Sequence, residues 1–394
     1  AESDLEKNED GELVCPDCKR PVQKAGGEEN WFFKLSEFGD KLLAFYEENP
    51  DFIRPETRKN EIVSFVKSGL KDLSISRSTF DWGVPLPFDE GHVAYVWADA
   101  LLAYLTGIGY GDEGERAGEF DARWPMQYHF VGKDITRFHC VIWPAMLMAA
   151  GLPITHTVFG HGFLLTKGEK MSKSKGNALK PADLCKVFGV DAYRYYFMSD
   201  VQFGADGSIS MERMVQVYNA DLANTWGNLC SRVFNMTKKY FDGQVPEVPA
   251  EVLANENPLR AITEELYAEY DAALGAVDFT AAAAAVQKLA GRVNLYVEES
   301  APWNLAKSEE TAGELAEVIY NALEAIRIIA LYMAPFMPNT SAEVFRRLSL
   351  GDIEAVTDIE AATAWGQLPA GNPVEIGDPL FPRLDMDAID LSME

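Results

Sequence analysis

The sequence predicts two architectures in one chain: an α/β half built on a parallel sheet, followed by an all-α bundle. Three observations lead there. Between Tyr128 and Leu165 a strand, a helix and a second strand follow one another, the unit of a parallel sheet. From Tyr218 to Met333 apolar residues recur at three- and four-residue spacing, the stripe of amphipathic helices. Between them lies Lys170-Met171-Ser172-Lys173-Ser174-Lys175-Gly176-Asn177, a cationic run in a chain whose formal net charge is -26.

Taken in order, residues 1–30 are polar and acidic, interrupted by Cys15-Pro16-Asp17-Cys18. Trp31–Leu35 reads as a strand. Glu37–Asn49 reads as a helix with Leu42, Leu43, Phe45 and Tyr46 inward, stopped by Asn49-Pro50-Asp51. Residues 61–70 predict a short helix ending at Gly69, and Asp72–Pro87 short strands and turns punctuated by Gly83 and Pro85. Tyr95–Tyr104 starts extended and becomes helical. Tyr128–Gly132 is an apolar strand, Asp134–Ala150 a helix, and His156–Leu165 a strand running straight into the lysine loop. Ligands of such sheets sit at the strands' carboxyl ends, where Gly132-Lys133-Asp134 and the lysine loop are expected to fall. Tyr218, Leu222, Trp226, Leu229 and Val233 mark one bundle helix; residues 258–273, 279–298 and 314–333 predict three more. After about 345 the composition is acidic and Pro/Gly-rich, and a tail hugging the surface is expected.

The 394 residues are 47% hydrophobic, enough for cores in two or three domains. No apolar run reaches the ~18 residues of a membrane span, and no cationic-plus-apolar leader opens the chain. Five cysteines, only two of them close in sequence, fit a reducing cytoplasm better than a disulfide framework. The acidic balance speaks against non-specific nucleic-acid binding and leaves room for an RNA partner on a local basic surface.

From Lys167 to Lys180 there are five lysines against one acid, Glu169. Ammonium groups there act as point charges toward a polyphosphate, and backbone N–H groups with small hydroxyls fill the remaining acceptor positions. The motif resembles the second signature loop of class I aminoacyl-tRNA synthetases. Around it stand Asp72–Arg77 with Trp82-Gly83-Val84-Pro85, Tyr95–Ala100, Val131–Ile135, Phe138-His139, Trp143–Leu147 and His161-Gly162-Phe163. This set resembles the methionyl-tRNA synthetase family over almost the whole chain. The implied fold is the second half of a Rossmann-like class I synthetase catalytic domain, then an anticodon-binding helical bundle.

The resemblance implies the roles residue by residue. Trp97, Ala100, Tyr104, Ile135, His139 and Trp143 would form the methionine pocket, and aromatic and apolar walls suit a polarizable thioether. Gly132 and Asp134 would meet the ribose of ATP; His161, Gly162 and Leu164 would flank the adenine. Lys170 and Lys173 would hold the phosphates, with Lys173 the strongest candidate for catalysis. ATP with Mg2+ is the implied cofactor, and methionine and tRNA(Met) are the implied partners. Asn228, Arg232 and Trp303 match the family's anticodon-reading positions, where an exposed tryptophan can stack an unpaired base. Cys15 and Cys18 are half of a tetrahedral zinc site, whose other ligands would precede Ala1. Zn2+ is therefore expected only in an intact protein.

The family's partner motif, a His-x-Gly-His-type turn, does not occur among the five histidines, so the chain is expected to be a C-terminal fragment inactive by itself. The implied division is 1–75, the remainder of a connective insertion; 76–165, the second catalytic half; 166–212, the lysine loop and stem-contact region; 213–345, the bundle; and 346–394, the tail. A monomer is expected unless a dimerisation domain follows. The competing reading is a non-catalytic tRNA-binding module with a degenerate nucleotide fold.

Overall fold

A computed structural model describes residues 5–8, 11–14, 20–22, 28–166, 168–171, 179–255 and 257–389. The chain divides at Gly160 into two units, each with its own apolar core.

In the first unit the hairpin β1 (Glu6–Lys7) and β2 (Leu13–Val14) precedes β3 (Phe32–Phe33), α1 (Gly39–Glu48), β4 (Ile53–Arg54) and α2 (Glu56–Lys67). Next come β5 (Leu73–Ser74), which pairs with β3, and a small antiparallel sheet of β6 (Ser76–Arg77), β7 (Pro85–Leu86) and β8 (Asp89–Ala94). Then follow α3 (Val96–Thr106), α4 (Glu119–Arg123), β9 (Tyr128–Gly132), α5 (Trp143–Ala150) and β10 (Thr157–His161). The central sheet has the order β4-β10-β9, with β10 parallel to β4. Along β9, His129 and Val131 point into the core while Tyr128 and Phe130 point out, the period-two alternation of a half-buried strand.

Several elements depart from the sequence expectation, each for a local reason. The strand expected over 31–35 shortens to β3, because its partner β5 is only two residues long and a 3-10 turn over Leu35–Phe38 follows. The helix expected over 61–70 begins earlier, at Glu56, where the extended Pro55 opens it. The helix expected over 134–150 is composite: a 3-10 turn at Lys133–Ile135, a π-helical stretch at Phe138–Ile142, then α5. Pro144 has no N–H for the carbonyl of Cys140, one turn back. The Tyr46 hydroxyl donates to that carbonyl instead, at 2.6 Å.

The largest difference concerns the strand expected over 156–165. It breaks after His161, and its second part, β11 (Leu164–Thr166), joins another sheet. There β11 lies between β12 (Glu169–Lys170), antiparallel to it, and β13 (Gly207–Ile209), parallel to it. The break falls at buried Gly162, where a Cβ would overlap the backbone of Ala205 and Asp206. The lysine run therefore leaves a β-hairpin, not the end of the parallel strand.

The second unit continues with α6 (Pro181–Phe188) and α7 (Val190–Ser199). One long helix then runs through α8 (Met211–Val217), a π-helical stretch over Tyr218–Gly227, and α9 (Asn228–Phe241). All five residues of the expected stripe on this helix are buried. The short α10 (Ala250–Leu253) leads to α11 (Pro258–Gly275), α12 (Phe279–Ser300), α13 (Pro302–Leu305) and α14 (Ala312–Met333). Helix α14 is the axis of the bundle, buried continuously from Val318 to Met333 and packed against α9, α11, α12 and α15 (Pro338–Arg347). The tail carries one further short helix, α16 (Ile359–Ala362), and packs Ile353, Leu368, Val374 and Phe381 onto this core. Among the described residues no helix is long and apolar enough to cross a membrane.

Candidate active site

An aromatic cluster forms in the first unit, where residues of α3, β9 and the composite helix meet. Trp97, half-buried near the start of α3, stacks on Phe138 with ring centroids 3.7 Å apart and planes 18° from parallel. One turn on, Ala100 is exposed, and two turns on, the hydroxyl of Tyr104 lies 2.8 Å from His139 Nε2. Trp143 is 1% exposed, and its ring centroid is 6.0 Å from that of Tyr104.

The hydrogens of the Tyr104–His139 pair can be assigned from the neighbours. His139 Nδ1 lies 3.0 Å from the carbonyl oxygen of Ile135, which can only accept, so Nδ1 carries a hydrogen. Burial pushes the His139 imidazole below its ordinary value, against the pull of that carbonyl, and favours the neutral ring. Its Nε2 is then an acceptor, and Tyr104 O–H donates to it. Ile135 thus contributes through its backbone as well as its half-buried side chain. The π-helical stretch carries His139; such stretches often coincide with functional sites.

Sequence reasoning missed two members of this cluster. Phe138 appeared only as part of a motif, yet it is the stacking partner of Trp97. His129 appeared only in a strand, yet its ring centroid is 4.5 Å from that of Tyr104 and 5.7 Å from that of His139. Burial, with His139 adding to it, pushes His129 down to about 4. The alternation along β9 was the signal that could have pointed it inward.

Gly132 ends β9, and Asp134 follows in the 3-10 turn, exposed. A Cβ on Gly132 would stand 2.6 Å from Asp134 Oδ1, so glycine lets the carboxylate fold back over the strand end. At the end of β10, half-buried His161 directs Nδ1 at the Gly162 carbonyl, 2.9 Å away, and stacks on Phe203. Leu164 is half-buried in β11 opposite Gly207. Phe163 N–H donates to Asp206 Oδ1 at 2.8 Å, and Gly207 N–H to the Phe163 carbonyl at 2.9 Å, which fixes this segment against the 203–207 turn. The backbone of Lys170 pairs with Leu165 at the end of β12. Lys173 lies outside the described residues, as do Cys15 and Cys18. Among the described residues no three His, Cys, Asp or Glu side chains are grouped to hold a metal ion.

On the bundle, Asn228 is exposed at the start of α9, and Arg232 one turn on donates to Glu298 Oε1 of α12 at 2.6 Å. Trp303 is 40% exposed in α13, just after Ala301 takes a left-handed backbone (φ 41°) that turns the chain out of α12. Glu298 was not singled out from the sequence, where it is one acid among many.

Two family models match the chain. One, described as "tRNA synthetases class I (M)", matches residues 5–234, and "Anticodon binding domain of methionyl tRNA ligase" matches residues 245–391. A methionine--tRNA ligase of Caldanaerobacter subterraneus subsp. tengcongensis is 47% identical over 380 residues, 96% of this chain and 58% of that protein. The Streptomyces coelicolor methionine--tRNA ligase is 48% identical over 382 residues, 95% of this chain and 70% of that protein. The chain thus spans only 58% of the length of the first of these relatives. Among solved structures, Mycobacterium tuberculosis methionyl-tRNA synthetase in complex with methionyl-adenylate is 40% identical, with a TM-score of 0.88 over 97% of this chain and 74% of that one. The apo form of the same enzyme gives 38% identity and a TM-score of 0.85, covering 98% of this chain and 74% of that one. An α/β catalytic domain and an anticodon-binding domain thus follow one another here, and the chain belongs to the class I tRNA synthetases of the M family.

Proposed function

We propose that this chain carries part of a methionine–tRNA ligase, which activates methionine with ATP to methionyl-adenylate and transfers it to tRNA(Met). The observation that carries the reading is the Tyr104–His139 pair, hydrogen-bonded at 2.8 Å and walled by Trp97, Phe138 and Trp143. Its polarizable aromatic lining suits a thioether, and the paired hydroxyl and imidazole leave no net charge that a charged amino acid could answer.

In the proposed first step the methionine carboxylate attacks the α-phosphorus of magnesium-bound ATP, the bond to the bridging oxygen breaks, and pyrophosphate leaves with the electron pair. The nucleophile is already ionised, so positioning and electrostatics suffice and no general base is required. Lys170 and Lys173 neutralise charge that grows on the leaving pyrophosphate, which stabilises the transition state more than the ground state. Gly132 and Asp134 receive the ribose, and His161, Gly162 and Leu164 the adenine. In the second step a terminal ribose hydroxyl of the tRNA attacks the adenylate carbonyl, and AMP leaves. Asn228, Arg232 and Trp303 read the anticodon, and in an intact protein Cys15 and Cys18 would supply two of the four ligands of a zinc site.

The division at 75, 165, 212 and 345 belongs to the same reading. So does the expectation that this chain does not activate methionine by itself: it contains no His-x-Gly-His turn and spans 58% of its Caldanaerobacter relative. Methionine-dependent ATP–pyrophosphate exchange tests both parts, measured on the chain alone and on the chain joined to the amino-terminal half of a relative. The expected result is exchange only in the joined protein, lost by about 10²–10³ on Lys173→Ala. No exchange in a well-folded joined protein would leave the tRNA-binding module. Exchange by the chain alone would remove the expectation of inactivity.

A further inference from the structure

One buried titratable group at the aromatic pocket takes no part in the chemistry above. His129 sits on the inward side of β9 and is 5% exposed. Its Nε2 is sealed from solvent and has no hydrogen-bond partner among the described residues. A buried polar atom left in this way costs the fold its full desolvation penalty, which phenylalanine or leucine in the same place would avoid.

The surroundings say what the atom is for. Tyr104 lies between His129, 4.5 Å away, and Trp143, 6.0 Å away, measured between ring centroids. The indole N–H of Trp143 is likewise buried without a partner among the described residues. Tyr104 cannot donate to His129, because its one hydroxyl hydrogen goes to His139. The Tyr104–His139 pair therefore satisfies itself, while the two unanswered polar atoms of the cluster both border the same tyrosine. Burial holds His129 neutral, and a neutral imidazole suits an uncharged ligand end.

We propose that His129 is a specificity-determining residue of this pocket, offering its Nε2 to the polarizable end of the amino-acid side chain, directly or across one water. The proposal rests on the reading of the pocket as the methionine site. In the neutral tautomer that carries its hydrogen on Nε2, His129 can donate to a thioether sulfur, which accepts a weak hydrogen bond, whereas a methylene accepts none. His129 therefore separates methionine from its hydrocarbon isostere norleucine, and does not raise affinity for both.

The test is equilibrium binding of methionine and of norleucine, by titration calorimetry, to the chain joined to the amino-terminal half of a relative, for the wild type, His129→Phe and His129→Asn, with a melting temperature for each. His129→Phe is expected to lower the methionine-to-norleucine affinity ratio about two- to threefold, the low end of what one hydrogen bond contributes. Its melting temperature should be unchanged or raised, because an unanswered polar atom has left the core. His129→Asn keeps a donor and an acceptor and should recover part of the ratio. It also provides the readout if His129→Phe does not fold. A histidine that only fills the core predicts the reverse, a lower melting temperature with both amino acids weakened together, and that result would overturn the proposal. A wild-type chain that prefers methionine, and a His129→Phe chain that prefers it equally, would overturn the proposal and leave the pocket assignment standing. A well-folded joined wild type that binds neither amino acid would remove the methionine reading of this chain, and the proposal with it.

Discussion

Glu324 in the bundle and His129 in the aromatic pocket are both buried and titratable, but their surroundings treat them in opposite ways. Glu324 is 0% exposed and accepts from five donors: Nε and Nη2 of Arg327, and the backbone N–H groups of Gly366, Gln367 and Leu368. Arg327 in turn donates to the carbonyls of Ala362 and Ala364. The tail is thereby stapled to α14 through a saturated ion pair. His129, 5% exposed, keeps a ring nitrogen that nothing among the described residues answers. A buried polar group with every bond made is architecture; one with a bond left over has room to answer a water or a ligand.

The sharpest way to break that contrast is to empty the staple. Glu324→Leu leaves the Arg327 guanidinium buried without its carboxylate and orphans three backbone N–H groups. The expected loss is about 3–5 kcal/mol of unfolding free energy, read by urea denaturation. Adding Arg327→Met should restore only part of it, because the N–H groups of residues 366–368 stay unanswered. Full restoration would mean that the tail does not depend on them.

The opposite group gives a pH dependence of similar size. His129 is held at about 4 in the fold against an ordinary 6.5, so between those values the unfolded chain binds the extra proton. Its contribution is fully present above 6.5, is lost as pH falls toward 4, and changes no further below. The shift corresponds to on the order of 3 kcal/mol. Urea unfolding from pH 7 to pH 4 should therefore fall less steeply in His129→Phe than in the wild type; parallel curves would show that His129 is not the group that titrates. A smaller effect is expected at Tyr46→Phe, which leaves the Cys140 carbonyl without the hydroxyl that replaces the missing Pro144 N–H. About 1–2 kcal/mol should be lost at all pH values.

How much of this was legible in the sequence follows from the range of the interactions involved. The bundle helices were readable because each carries its own apolar stripe, and residues 258–333 fold close to the limits that the spacing predicts. Strand β9 was readable for the same reason. The break between β10 and β11 was not, because it depends on Gly162 meeting the backbone of Ala205, 43 positions away. The two-residue β4 carries too little pattern to be seen without its partner β10. In the pocket, the motif supplied Trp97, Tyr104, His139 and Trp143 but not the tautomer, which is set by a carbonyl, nor His129, whose proximity to Tyr104 exists only once β9 lies beside α3. Glu298 was invisible for a similar reason: it meets Arg232 across 66 positions.

Arg232 tests the contrast at its weakest end. Its partner Glu298 is more than half exposed, so the pair sits in water that screens it and competes for both groups. By the logic that separates Glu324 from His129, such a pair contributes little to the fold. Its guanidinium, with donors besides the one given to Glu298, remains available to an RNA base edge that displaces the carboxylate. Arg232→Ala is therefore expected to change unfolding free energy by less than about 1 kcal/mol. On the proposed anticodon reading, the same substitution should weaken tRNA(Met) binding about tenfold or more, the cost of one charge-assisted contact. Filter binding and urea denaturation on one preparation read both numbers. A large loss of stability with tRNA binding intact would make Arg232 a second staple like Arg327, and would argue against its proposed part in anticodon reading.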